Sequence, residues 1–370
     1  MPHPSIPCLR DLVKNRADQP VNLPLNFPCE TPKTPEVNSQ RLRYAGTAAH
    51  EHLHSNLPPS VMAFTQEPIP EIVAERVLPQ YGPIPVFRPR EVIRRWIQDI
   101  FTKGGHEHLV EFNTSVELAE KETFDAVIVA SGHYSLPHIP DIPGLVEYND
   151  KFPGRIRHTK HYNTADEFKG KPSAIFGWAP FSHPHIESHS SISSIDPDTG
   201  RITFSDDAFL DDIDVVLFAT GFAFNFPFLP NTKPVNGRIP GLYQHVFKSD
   251  DPSLAFIGMV TGGFGLRIFE WQAVAAARVF AGHAVLPSHE EMGAWEQARL
   301  IEKGDGPPFW ALLPDFERHF EALRAIAGDP AAGTTGRVLP KYEHQWEETF
   351  WKLIHERIAW WEETARGKTR

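Results

Sequence analysis

The sequence predicts an α/β fold, and three observations carry the expectation. Phe124 to Ser131 (FDAVIVAS), Ser173 to Gly177 (SAIFG), Asp214 to Thr220 (DVVLFAT) and Leu254 to Val260 (LAFIGMV) are short, nearly continuous apolar runs that end in small residues. Buried parallel strands read this way, because both faces of such a strand are covered. The C-terminal third instead carries helical periodicity, over Ile268 to Ala281, Ser288 to Glu302, Pro314 to Ala327 and Glu343 to Thr364. Within it, Ser288 and Glu291 have the spacing of a capping box, and Gly282 follows the first helix as a stop signal.

The remaining elements follow in chain order. Residues 1–47 hold Pro2, Pro4, Pro7, Pro20, Pro24, Pro28, Pro32 and Pro35, too dense for helix or central strand, and read as an extended arm. From Arg90, the residues Val92, Ile93, Trp96, Ile97, Ile100 and Phe101 recur at helical spacing behind Pro89, which predicts an amphipathic helix with one buried face. Arg201 to Ser205 alternates as a half-buried strand should, entered by the turn Asp196-Pro-Asp-Thr-Gly200. In the last helix Trp346, Phe350, Leu353, Ile354, Ile358 and Trp361 line one face, a stripe read as core or partner-helix contact.

With 370 residues the chain exceeds the usual single-domain range, so two domains are the working expectation. A hydrophobic fraction of 41%, with 9 Trp and 26 Phe, is enough apolar material for a real core. The formal charge of −11, with Lys and Arg scattered, lacks the basic footprint of a nucleic-acid or anionic-membrane binder and favours small-molecule partners. Two cysteines, Cys8 and Cys29, argue against a disulfide framework and for a reducing compartment. No stretch approaches the roughly 20 apolar residues of a membrane span, so a cytoplasmic location is expected. Self-association is left open.

Two histidine groups, at 50, 52 and 54 and at 183, 185 and 189, lack accompanying Cys or carboxylate spacing, and no metal site is expected from them. A Gly-x-Ser-x-Gly elbow and a Walker loop are both absent from the sequence, which sets aside hydrolase and phosphotransferase chemistry.

One constellation is specific. Phe152-x-Gly154-x-x-x-His158-x-x-x-Tyr162 resembles, position for position, the identifying motif of the flavin-containing monooxygenases. Ahead of it, Leu53-His-Ser55-Asn56-Leu-Pro58 and Val61-Met-Ala-Phe64 are similar to that family's flavin-side segment. Phe112-Asn-Thr-Ser-Val116 and Ala130-Ser131-Gly132-His-Tyr134 resemble its adenine-side strand and its first Ala-Thr-Gly turn. Ala219-Thr220-Gly221 resembles the second.

The resemblance implies a two-dinucleotide-binding-domain flavoprotein with Rossmann-like FAD and NADPH domains and a helical C-terminal region. Residues 48–150 and 222–370 would form the FAD-type domain and 151–221 the NADPH-type domain. It also implies that NADPH reduces FAD, molecular oxygen adds to give a C4a-hydroperoxyflavin, and one oxygen atom passes to a soft nitrogen or sulfur of a small substrate. Asn56 would then support the flavin, because an amide both donates and accepts where water must be excluded. Ser55, Val116, Ala130, Ser131 and Gly132 would line FAD, and Gly177, Ala219, Thr220 and Gly221 would lie beside the nicotinamide nucleotide. His158 and Tyr162 would organise the domain junction.

The sequence also departs from the family, so both nucleotide domains are expected to be incomplete. Residues 1–47 contain no Gly-x-Gly-x-x-Gly turn to hold the FAD pyrophosphate at a helix N-terminus. After Ser173-Ala-Ile-Phe176 stands Gly177-Trp-Ala-Pro180-Phe181, in which Pro180 lacks an amide hydrogen and Phe181 adds bulk. The insert 151–221 is shorter than the roughly 100 residues that successive βαβ units need. Two other readings therefore stand beside the monooxygenase: a catalytically silent family remnant acting by interaction, and an FAD-binding, oxidase-like protein without NADPH use.

Overall fold

A computed structural model describes residues 25–26, 49, 53–112, 114, 116, 118–119, 124–134, 136–162, 165–177, 187 and 189–365. The proline-rich arm apart from Leu25–Asn26, both cysteines, the histidines at 50, 52, 183 and 185, and the turn at 178–186 lie outside the described residues. In chain order the strands are β1 (Leu25–Asn26), β2 (Val127–Val129), β3 (Leu136–Ile139), β4 (Ile156–His158), β5 (Ser173–Phe176), β6 (Ile192–Ile195), β7 (Ile202–Phe204), β8 (Phe209–Leu210), β9 (Val215–Phe218), β10 (Phe222–Ala223), β11 (Leu242–Tyr243), β12 (Phe247–Lys248) and β13 (Leu254–Phe256). The longer helices are α1 (Arg90–Lys103), α2 (Leu145–Lys151), α3 (Leu266–Phe280), α4 (His289–Lys303), α5 (Phe316–Ala327) and α6 (His344–Ala365). The chain divides into two compact units, an inserted one of Met1–His50, His133–Asn225 and Ile358–Arg370, and a flanking one of Glu51–Gly132 and Phe226–Arg357. Residues 133–150, which motif order grouped with the flanking chain, cluster with the insert.

In the flanking unit four strands run in the order β11-β12-β13-β2. The first three are antiparallel, and β13 pairs parallel with β2 in the register Leu254↔Val127 to Phe256↔Val129. Against this sheet lies an aromatic core. Phe264 stacks on Phe316 at 4.6 Å and meets Phe320 and Phe350 at 5.6 Å, while Trp271 packs edge-on against Phe320 at 4.9 Å. Those contacts draw α3 onto α5 and bring in the start of α6. Burying each such side chain favours folding by about 1.5–3 kcal/mol.

The helices follow the sequence pattern closely. The expected capping box at the start of α4 is formed, with Ser288 accepting from the Glu291 amide and Glu291 accepting from the Ser288 amide. In α1, Val92 and Trp96 are buried and Ile93 and Ile100 pack beside them. Ile97, expected on the same face, is 40% exposed. It sits one residue past Trp96, about 100° around the helix, and so turns away from the core. The α6 stripe grades outward, from buried Trp346 and Phe350 to half-buried Leu353 and Ile354.

Three buried arginines staple this unit without ion-pairing to any described carboxylate. Arg267 donates to the carbonyls of Ala63 (3.0 Å) and Ser60 (2.8 Å) with its guanidinium over the Trp346 ring. Arg278 reaches the carbonyls of Ala327, Gly328 and Arg337, and Arg299 those of Phe309 and Ala311. Loop and helix-end carbonyls that lack backbone partners are thereby satisfied.

The inserted unit is built on three parallel strands in the order β4-β9-β5. All four residues of the central strand β9 are buried, as its unbroken apolar run predicts. A meander β6-β7-β8 supplies the expected hairpin, its 196–200 turn pinned by Asp196 Oδ1 accepting from the amides of Asp198 (2.9 Å) and Thr199 (2.8 Å). Those hydrogen bonds hold the Asp196 carboxyl below its usual range. Tyr148 of α2, Ile195, Ile202 and Phe218 form the centre of the core. Gly144 leads into α2 at φ 81°, and a Cβ there would stand 1.8 Å from the Ile195 carbonyl oxygen, so only glycine lets the meander approach.

Two of the apolar runs are less buried than parallel strands usually are. Ile175 on β5 is 58% exposed and Ile128 on β2 is 44% exposed. Both strands are edges of their sheets among the described residues. In a full βαβ unit the crossover helix covers such a strand face. None of the described helices is long and apolar enough to cross a membrane.

Candidate functional site

Five of the sequence-predicted residues of the inserted unit lie at the carboxyl ends of its three parallel strands, whereas Phe152 and Gly154 precede β4. His158 ends β4, Gly177 follows β5, and Ala219, Thr220 and Gly221 follow β9. Ligands of open α/β sheets bind at this edge, where loops leave strands that point the same way.

His158 is 3% exposed. Its Nδ1 accepts the backbone N–H of Lys160 at 3.0 Å, which puts the ring proton on Nε2, and Nε2 donates to the Gly221 carbonyl at 2.9 Å. The same carbonyl accepts the His138 amide at 2.8 Å, and the Thr220 hydroxyl donates to the His138 carbonyl. The Ala219–Gly221 turn is thus clamped between β4 and β3. Burial pulls the His138 imidazole below its ordinary value. Phe152 closes α2 against Tyr148 (ring centroids 5.0 Å) with the Arg155 guanidinium 4.7 Å over its face. Gly154 follows in a turn at φ 87°, and Tyr162 stacks on Phe168 at 5.8 Å.

Gly177 has a packing reason of its own. A Cβ there would lie 2.7 Å from the Ala219 carbonyl oxygen and 2.9 Å from Ala219 Cβ, and the Ala219 amide donates to Phe176 at 2.6 Å. The ends of β5 and β9 approach too closely for any side chain. Gly177 is the described part of this loop, and its packing against Ala219 accounts for a glycine there.

In the flanking unit, Ala130, Ser131 and Gly132 follow β2 and are exposed, as is Val116 at 56%. Asn56 lies on a segment braced against residues 88–90. The Ser55 amide donates to the Arg88 carbonyl (2.8 Å), the Arg88 amide to Ser55 Oγ (2.9 Å), and the Arg90 amide to the Leu53 carbonyl (2.8 Å). Ser55 Oγ donates onward to the Leu57 carbonyl at 2.7 Å, which commits its proton to the loop. Leu57 is 3% exposed and roots the turn. Between these anchors Asn56 is exposed, its side-chain amide hydrogen-bonding nothing among the described residues. A free amide on a braced turn and a small-residue strand end fit the polar edge of a flavin. A pyrophosphate cradle is not found among the described residues.

Sequence reasoning missed Arg357, whose Nη1 donates to the Asn56 carbonyl at 2.8 Å. On α6 it reads as one of many solvated charges, and no local pattern ties it to a residue 301 positions away.

Fold and strand-end motifs together define an α/β flavoprotein of the two-dinucleotide-binding-domain class. Residues 97–183 and 185–304 match the flavin-binding monooxygenase-like family, and the chain belongs to it. Its relatives include the flavin-containing monooxygenase ustF2 of Aspergillus flavus, 25% identical over 406 aligned positions that take in 86% of this chain and 80% of that protein. Trimethylamine monooxygenase of Methylocella silvestris is 29% identical over 297 positions, covering 66% of this chain and 63% of that one. Among solved structures, S-allyl-L-cysteine S-oxygenase from Allium sativum shares the fold, with a TM-score of 0.68 at 21% identity over 86% of this chain and 81% of its own. An alignment of 406 positions is longer than the 370-residue chain itself, so it passes through positions where this chain has no residue. The chain spans less than two thirds of the trimethylamine enzyme's length.

Proposed function

We propose that this protein is a flavin-dependent monooxygenase acting on a soft nitrogen or sulfur of a small organic molecule, with FAD as its flavin and NADPH as hydride source. The balance is substrate, O2, NADPH and a proton giving the N- or S-oxide, water and NADP+. Bound flavin supplies the oxygen chemistry. The chain's own part is to hold it, keep water out and offer polar partners at fixed positions. Asn56 carries the reading: its exposed amide is uncommitted, yet the backbone on either side is braced. Ala130, Ser131 and Gly132 would let the cofactor approach the backbone. Relatives named for trimethylamine and for S-allyl-L-cysteine oxygenation support a nitrogen or sulfur acceptor.

The test is direct. The full chain is purified and desalted, its flavin absorbance read, and NADPH oxidation followed with a tertiary amine and with a sulfide. Yellow protein with substrate-dependent NADPH use is expected; a folded, colourless and inactive product overturns the reading and favours the silent remnant. A second reading, flavin without NADPH, draws on Gly177, whose retention Ala219 packing already explains. Bound flavin that NADPH does not bleach selects it.

A further inference from the structure

We propose that Arg357 is a positioning residue for Asn56: from the last helix it holds the carbonyl of the residue whose amide faces the flavin. The inference rests on the role given to Asn56 above. Ser55 is fixed by two hydrogen bonds to Arg88, and the Leu57 carbonyl is held by Ser55 Oγ. The peptide joining residues 56 and 57 stands between these anchors, and the Asn56 carbonyl is its acceptor. Arg357 Nη1 takes that carbonyl at 2.8 Å, with the guanidinium 5.5 Å from the centroid of the Phe87 ring. A peptide plane held at its oxygen cannot rotate without breaking a charge-assisted hydrogen bond, so the direction of the Asn56 side chain is set from α6. Phe87 precedes Arg88, so the ring that supports the guanidinium belongs to the segment that braces Ser55. Burial pulls the Arg357 guanidinium below its usual value. The carbonyl and ring contacts offset that desolvation.

The test uses the full chain with Arg357→Met, Arg357→Lys, Asn56→Ala and the double variant Asn56→Ala/Arg357→Met. Without added flavin, hydrogen exchange at the Ser55, Arg88 and Arg90 amides should quicken several-fold in Arg357→Met and return toward the parent in Arg357→Lys. With FAD, the fraction of reducing equivalents lost to hydrogen peroxide should rise about ten-fold in both Asn56→Ala and Arg357→Met, and no further in the double variant, as for two residues acting as one device. Should Arg357→Met fold poorly, Phe87→Leu removes the ring support alone and should shift coupling in the same direction by a smaller factor. Coupling lost in Asn56→Ala but intact in Arg357→Met overturns this proposal alone. Coupling unchanged by Asn56→Ala overturns the reading of Asn56, and the proposal with it.

Discussion

The His158 clamp gives an ordered prediction across three substitutions. The imidazole makes two hydrogen bonds from a 3% exposed site, accepting from Lys160 N–H and donating to the Gly221 carbonyl. Their losses are unequal. The Gly221 carbonyl keeps the His138 amide at 2.8 Å, whereas the Lys160 amide loses its imidazole acceptor. An abandoned buried donor costs about 1–3 kcal/mol. Removing a ring that packs edge-on to Phe222 at 5.2 Å adds a cavity cost of roughly 2 kcal/mol. His158→Ala should therefore destabilise the inserted unit by about 3–5 kcal/mol, a large part of the stability of an ordinary domain. His158→Asn places Oδ1 near the old Nδ1 and keeps the Lys160 bond; His158→Gln places an amide nitrogen near the old Nε2 and keeps the Gly221 bond. The expected order of stability is His, Asn, Gln, Ala. Native-state hydrogen exchange of β9 and the 219–223 turn, followed through a urea series, reads this unit separately from its neighbour. Gln equal to or more stable than Asn, or Ala within 1 kcal/mol of the parent, would refute the accounting.

Other outcomes are equally open to measurement. Gly177→Val should cost about 1–3 kcal/mol through its clash with Ala219, read as faster exchange in β5 and β9, and should do so whether or not any nucleotide is added. Arg278→Met should destabilise the flanking unit by about 3 kcal/mol, read as a lower urea midpoint, since three carbonyls lose a charged donor at once. His245 and His319 are buried 5.9 Å apart, and burial lowers both, His319 to about 3. The unfolded chain takes up protons near 6.5 that the folded one refuses, so stability is full above that pH and falls toward 3. Between pH 6.5 and 5 His319 should remove about 1.5 kcal/mol, and His245 adds to the loss in the same direction. His319→Phe should flatten that slope when urea midpoints are compared at the two pH values.

Much of the scaffold was legible because its signals are local. β9 carries apolar residues at every position, and a strand so composed has to be central. The Ser288–Glu291 box and the 196–200 turn declare themselves within a few residues. Which run pairs with which was not legible, because β2 meets β13 and β4 meets β9 across long separations with no sequence mark of register. Nor were the arginine staples, since an Arg on a helix shows its charge but not the distant carbonyl it satisfies. The motif residues at 158, 177 and 219–221 were found by resemblance, yet the hydrogen bonds joining 158 to 221 are visible only in three dimensions.

Gly177 answers to two masters. In the proposed function a glycine here would admit a nucleotide close to the backbone; as the neighbour of Ala219 it lets two strand ends touch. When the first demand lapses the second still forbids a side chain, so the decay of such a loop halts where the sheet begins. A lone surviving glycine at a strand end therefore testifies to the fold, and the testimony about a ligand has to come from the residues after it.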